Sequence, residues 1–136
     1  MFEVIHEFAV LGTACFMMAL ATVWYSPMLF GKLWMKETGL TDEMIEKAQP
    51  HMLKHMVLTF VSYVIMLTLL ALLVVYAPKI LLQPIEAAGL LALFAAAGLI
   101  PAVLFEGRSA RYYAISVGFY VTFILLGTLM LQHWPW

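Results

Sequence analysis

The amino-acid sequence predicts an all-α protein, a bundle of four transmembrane helices with a short cytoplasmic interfacial helix between the first two. Of its 136 residues, 65% are hydrophobic and only 11% are charged, whereas soluble domains carry about 25% charged residues. The mean hydropathy is +0.97. Four long stretches are almost free of charge, and each is long enough to cross a hydrocarbon layer roughly 30 Å thick. Lipid is therefore predicted to surround a single integral membrane domain, residues 1–136.

The first crossing is predicted over residues 4–25, and it is expected to be retained rather than cleaved. A signal peptide begins with basic residues and ends at small residues, but this segment begins with acidic residues. It ends at Trp24 and Tyr25, which suit an aromatic belt at a membrane surface. Pro27 then lacks a backbone N–H, so the helix is predicted to stop there.

The connection, residues 26–52, is predicted to hold two short helices. Between Met28 and Lys36 the apolar residues recur at helical spacing, while two lysines share another face. This pattern is typical of an amphipathic helix lying in the headgroup plane. Gly39 suits the end of that helix, and Thr41 suits the start of a second one.

Three further crossings are predicted, at residues 53–76, 84–105 and 110–131. Pro84 suits the first turn of the third crossing, and Pro101 is expected to kink it. Two ladders of small residues at every fourth position would let helices approach closely in lipid. The predicted helix-packing positions are Ala88, Ala92, Ala96, Ala110, Ala114 and Gly118.

The distribution of basic residues predicts the orientation. Six of the seven Lys and Arg residues lie in or beside the first and third connections, and Lys79 alone lies in the second. The positive-inside rule then places both termini outside and the loop 26–52 in the cytoplasm. Glu106, Arg108 and Arg111 are predicted to form a cytoplasmic charge cluster that fixes the turn and contacts anionic lipid. Phosphate binding is the alternative.

Two groups of side chains are weak candidates for a metal site, and no cofactor is predicted. His51 and His55 share one helix face, with Met52 and Met56 on the adjacent face, and imidazole with thioether suits Cu(I). We favour ordinary packing by adaptable methionines. Carboxylates and imidazoles at the opposite boundary could bind Zn²⁺, but solvated helix ends explain them without a ligand. This second group comprises Glu3, His6, Glu7, Glu86 and His133.

Hydroxyl side chains within the crossings are predicted to hydrogen-bond between helices. Lining a cleft for a small ligand is the alternative. These residues are Ser62, Tyr63, Tyr113, Ser116, Tyr120 and Thr122.

The sequence argues against several classes of function. No nucleophile elbow, phosphate loop or haem-attachment motif occurs, so an enzyme is the least supported class. The formal charge of −1 argues against a nucleic-acid partner. Glu86 and Glu106 lie about 30 Å apart along one helix, at opposite boundaries. No ionisable group is thus predicted at mid-depth, where proton-coupled transporters usually need one.

The chain resembles an uncharacterised prokaryotic membrane family catalogued as domain of unknown function number 1761. The resemblance spans nearly the whole chain and rests on residues 24–34 (WYSPMLFGKLW), 105–109 (FEGRS) and 118–120 (GFY). It implies a small four-crossing protein of the cytoplasmic membrane and transfers no catalytic residue. The interface motif within the first segment comprises Trp24, Tyr25, Pro27, Phe30, Gly31 and Trp34.

For function, we expect a non-catalytic membrane protein that acts through helix packing, as a homo-oligomer or an accessory subunit of a larger membrane complex. The two small-residue ladders favour this expectation, since a chain of this length has little interior of its own. The alternative is a small oligomeric transporter or channel for an ion or small molecule, in which two or more copies build the pathway.

Overall fold

The computed structural model describes residues 6–134 and confirms the all-α fold class. Four long helices and two short ones occur, and this part of the chain contains no strand. The helices are α1 (Glu7–Trp24), α2 (Gly31–Thr38), α3 (Asp42–Ala48), α4 (Met52–Tyr76), α5 (Pro84–Phe105) and α6 (Ala110–Gln132). Helices α1, α4, α5 and α6 are long and apolar enough to cross a membrane.

Local sequence explains where these helices begin and end. Gly39 adopts the left-handed conformation at φ 72° and terminates α2, a conformation that costs glycine little. The Thr41 hydroxyl accepts the Met44 backbone N–H at 3.3 Å and starts α3. The Glu86 carboxylate accepts the Gln83 backbone N–H at 2.9 Å at the start of α5. The predicted short amphipathic helix between the first two long helices is therefore confirmed.

Helix α6 lies at the centre of the bundle, in contact with α1, α2, α4 and α5. The core is formed where α1, α4 and α6 meet, around the fully buried side chains of Met17, Leu67 and Phe123. A methyl group added at Gly127 would lie 3.0 Å from Leu70 Cδ2. The absence of a side chain at Gly127 thus allows α4 and α6 to approach closely.

The two small-residue ladders occupy different environments. In α5, Ala88 and Ala92 are buried and Ala96 is half-buried, so the first ladder packs inside the bundle. In α6, Ala110 and Ala114 are exposed. Helix α5 also continues past Pro101 to Phe105, and a kink there stays a prediction.

Candidate binding cleft

The interface motif folds α2 back against the end of the bundle. After α1 the chain reverses in a tight turn, in which the Phe30 N–H donates to Trp24 O at 3.1 Å and the Gly31 N–H donates to Ser26 O at 2.9 Å. A Cβ atom at Gly31 would lie 2.6 Å from the Ser26 carbonyl carbon. Glycine at position 31 is therefore a steric requirement of this turn.

Trp24 fixes the same turn to α6. Its indole N–H donates to Ile115 O at 3.2 Å, and its ring lies 4.9 Å from the Phe30 ring, centroid to centroid. A Cβ atom at Gly118 would lie 3.2 Å from Trp24 Cζ2. The small residue at position 118 thus accommodates a tryptophan ring from α1 rather than the backbone of a neighbouring helix.

Glu37 fastens the far end of α2 to the start of α6. Its side chain is only 14% exposed, and it accepts a hydrogen bond from the Ser109 hydroxyl. Arg111 Nη1 lies 3.9 Å from Glu37 Oε1. Glu37 is not among the predicted site residues, because its partner Ser109 lies in a distant part of the chain. An acidic residue on the inner face of an amphipathic helix is the signal that could have indicated it.

A cleft lies between α2 and the long helices, and Tyr25, Trp34 and Tyr120 form walls shared by its two cavities. One cavity, of about 200 Å³, faces α5 and α6. The other, of about 560 Å³, faces α4 and α6. The remaining lining residues are Leu58, Thr59, Ser62, Tyr63, Leu99, Val103, Tyr112, Tyr113, Ser116 and Phe119. None of these described residues is charged.

Hydroxyl groups in the cleft differ in their partners. Tyr113 Oη donates to Ala96 O at 2.8 Å, which joins α6 to α5 as predicted for interhelical hydrogen bonding. Within residues 6–134, the hydroxyls of Tyr25, Tyr63 and Tyr120 have no protein hydrogen-bond partner. A tyrosine hydroxyl is protonated at neutral pH, so Tyr25 can donate a hydrogen bond.

An apolar groove lies beside the cleft, between α4, α5 and α6. It has a volume of about 500 Å³, and Tyr120 and Leu99 line both the groove and the cleft. Gly98 lies along the groove, with no atom within 4 Å of an added Cβ. The polar and aromatic cleft therefore borders an apolar groove at these two shared residues.

Comparison with known families identifies the family of this chain. The family described as "Protein of unknown function (DUF1761)" matches residues 8–131. The chain belongs to this family. No curated protein and no solved structure matches the chain.

In this DUF1761 protein, the segment that carried the resemblance is the one that closes the cleft. Tyr25 and Trp34 line both cavities, while Phe30 and Gly31 shape the turn between them. Trp34 also packs against Tyr25, with ring centroids 5.3 Å apart. The motif thus builds one side of a cavity, and Pro27 remains an exposed residue of its turn.

The predicted charge cluster of the DUF1761 protein is divided in two. Arg108 Nε lies 3.4 Å from Glu106 Oε2 at the turn, whereas Arg111 pairs with Glu37. The cluster therefore fixes α2 to α6 as well as closing the turn between α5 and α6. Contact with anionic lipid stays a prediction.

The candidate metal ligands that the structure describes are exposed, and metal binding by either group stays a prediction. Among residues 6–134, no three His, Cys, Asp or Glu side chains are grouped so that they could hold an ion. His51, Met52, His55 and Met56 are all exposed at the start of α4. At the opposite end, Glu7 and His6 are exposed, and His133 Nδ1 lies 3.0 Å from Leu129 O. Glu3 lies outside the described residues.

Proposed function

We propose that this chain is a non-catalytic membrane protein that binds a small amphipathic molecule in the cleft beneath α2. The observation that carries the proposal is a set of three tyrosine hydroxyls, on Tyr25, Tyr63 and Tyr120, that have no hydrogen-bond acceptor among residues 6–134. They belong to three different segments and line one cavity. A ligand with oxygen acceptors would accept hydrogen bonds from all three hydroxyls and so contact all three segments.

The depth of Tyr120 in the membrane supports a bound partner. Tyr120 lies ten residues beyond the start of α6, about 15 Å along the axis at 1.5 Å per residue. That is about half of a hydrocarbon layer roughly 30 Å thick. A hydroxyl placed in an apolar medium without a hydrogen bond costs about 2–7 kcal/mol. Water or a polar ligand group in the cleft offsets this cost.

We further propose that the protein lies in a prokaryotic inner membrane, with both termini outside and the cleft near the cytoplasmic surface. Support comes from the basic residues: six of the seven are placed around α2, the start of α4 and the turn after α5. Loop 26–52 is then cytoplasmic. Amphiphiles would reach the cleft from the inner leaflet, since α2 lies where the headgroups are.

The binding proposal is tested by the mass of the protein released from mild detergent under native conditions. Ser116 lines the smaller cavity and Ser62 the larger one, so Ser116→Phe combined with Ser62→Phe should fill both and remove a small-molecule adduct that the unmodified protein carries. Ala114 lies two residues from Ser116 and is exposed outside the cleft, so Ala114→Phe is the matched control and should keep the adduct. An adduct of equal occupancy in both variants would contradict binding in this cleft.

A second candidate function is helix packing, as a homo-oligomer or an accessory subunit. It is favoured by the exposed ladder on α6, where Ala110 and Ala114 offer a small-residue surface that no helix of the described chain covers. For this function, Ala114→Phe is the test variant and Ser116→Phe is the control. Ala114→Phe should shift an oligomer toward monomer in the same native mass measurement, while Ser116→Phe should not.

Transport by two or more copies is the alternative that ranks behind these two. The cleft and the groove adjoin at Tyr120 and Leu99, but the described lining residues include no charged group to couple movement to an ion. Flux through liposomes containing the purified protein tests it. Saturable flux that Ser116→Phe abolishes would support transport.

A further inference from the structure

The chemistry of the cleft selects the head of its ligand. Tyrosines act there as donors, because a protonated phenol donates its hydrogen to an oxygen acceptor. The lining includes no cation to balance a phosphate and no carboxylate to balance an amine among the described residues. A charged head would lose its hydration without compensation. The head is therefore uncharged and carries acceptor oxygens.

The aromatic side chains that line the cleft favour a ligand with a planar head group. The rings of Trp34 and Tyr25 lie edge to face, with centroids 5.3 Å apart, and the Tyr25 ring centroid lies 5.6 Å from that of Phe119. The Tyr63 ring centroid lies 6.3 Å from that of the same phenylalanine. A planar ring placed among aromatic side chains gains offset-stacked or edge-to-face contacts in addition to the area it buries. A flexible ester head lacks that gain.

The groove selects the rest of the molecule. It meets the cleft at Tyr120 and Leu99, and its other described lining residues are aliphatic or aromatic apart from Gly98. Gly98 leaves open space along the groove. A hydrocarbon tail fits there, because each buried methylene group adds favourable transfer free energy.

Given the binding role proposed above, we infer that the ligand is an uncharged quinone-type amphiphile, a planar ring with carbonyl oxygens and an attached hydrocarbon tail. The ring lies among Tyr25, Trp34 and Tyr120, where the tyrosine hydroxyls donate to its carbonyl oxygens. The tail follows the groove past Gly98. The inference concerns binding alone and requires no electron transfer.

Equilibrium dialysis of the detergent-purified protein tests this inference with three probes. The first is a fully substituted benzoquinone with a short alkyl tail, the second is its tailless counterpart, and the third is a short-chain diacylglycerol. Full ring substitution leaves no position at which the exposed Cys15 thiol can add. We expect saturable binding of the tailed quinone, and binding of the diacylglycerol that is at least about tenfold weaker, since it lacks the ring contacts.

A pair of glycine variants tests the position of the tail. Gly98→Phe should fill the groove and weaken binding of the tailed quinone by at least about tenfold, because its methylene contacts are lost. Binding of the tailless quinone should be unchanged. Gly89 is equally open, with no atom within 4 Å of an added Cβ, and does not line the groove. Gly89→Phe is therefore the control and should bind both quinones as the unmodified protein does.

The outcomes separate this inference from the proposed function. If diacylglycerol binds as tightly as the tailed quinone, or if Gly98→Phe has no effect on tail-dependent binding, the quinone assignment is overturned. An adduct that the Ser116→Phe and Ser62→Phe double variant still removes would in that case leave the amphiphile-binding function intact. If this double variant, in which both cavities are filled, leaves all probe binding unchanged, the cleft itself is excluded and both proposals fail.

Discussion

The Ser109 hydroxyl joins two segments that are 72 residues apart, because it donates a hydrogen bond to the Glu37 carboxylate. The same oxygen accepts the Tyr112 backbone N–H at 3.1 Å and caps α6. One side chain thus starts the central helix and holds α2 over the cleft. The Glu37 side chain also lies near the positive end of the α6 dipole, where a negative charge is favourable.

Disrupting this connection should destabilise the protein in a coupled manner. Ser109→Ala removes an N-cap, which costs about 0.5–2 kcal/mol, and Glu37→Gln removes the charged acceptor. We expect the loss in the double variant to be smaller than the sum of the two single losses, since both variants break the same hydrogen bond. Denaturant unfolding in detergent micelles measures the cycle.

An exposed ion pair provides the control for that cycle. Lys47 and Glu43 lie 2.7 Å apart, but both side chains are about three-quarters exposed, at 74% and 75%. Glu43→Gln should change the free energy of unfolding by less than about 1 kcal/mol. Strict additivity of Ser109→Ala and Glu37→Gln would contradict the hydrogen bond between them.

Thr13 offers a stabilising substitution. It is fully buried in α1, and its hydroxyl has no hydrogen-bond partner among residues 6–134. Thr13→Val keeps the shape and removes an unsatisfied polar group, so it should raise the free energy of unfolding by about 1–3 kcal/mol. The unfolding midpoint of the purified protein measures the change.

Thr128 is the matched control for Thr13. It is also fully buried, but its hydroxyl donates to Ile124 O at 2.8 Å. Thr128→Val removes a satisfied group and should not stabilise the protein. Equal effects of the two substitutions would show that the Thr13 hydroxyl is satisfied.

Gly127 should tolerate no larger side chain. An added Cβ would lie 3.0 Å from Leu70 Cδ2 and 3.1 Å from Leu67 Cδ2, so Gly127→Val forces α4 and α6 apart. Overpacking of this kind costs about 1–3 kcal/mol. Gly89→Val, at an open position of α5, should cost clearly less in the same unfolding measurement. Equal losses would indicate that helix propensity, rather than packing, sets the cost.

Much of the fold follows from local sequence signals. Charge-free stretches of sufficient length predict α1, α4, α5 and α6, because a helix in lipid needs about 20 apolar residues. The spacing of apolar residues after Pro27 predicts α2, and Gly39 and Thr41 predict its end and the start of α3. These signals depend on neighbours in the chain, so a single sequence contains them.

The cleft depends instead on contacts between distant segments. Tyr113, Ser116 and Tyr120 recur at intervals of three and four residues, which indicates one face of α6. That pattern suggested either interhelical hydrogen bonds or a ligand cleft, and Tyr113 alone has the first of these partners. The spacing does not encode which helices face Ser116 and Tyr120, or that Glu37 holds α2 in place. Both depend on packing between distant segments.

A density map of the protein purified from its own membrane tests whether the cleft holds a quinone-type amphiphile. We expect non-protein density in the cleft, with an oxygen within hydrogen-bond distance of Tyr25 or Tyr120 and a tail running past Gly98. A cleft closed by direct hydrogen bonds among the tyrosines, or one that holds water alone, would contradict this expectation.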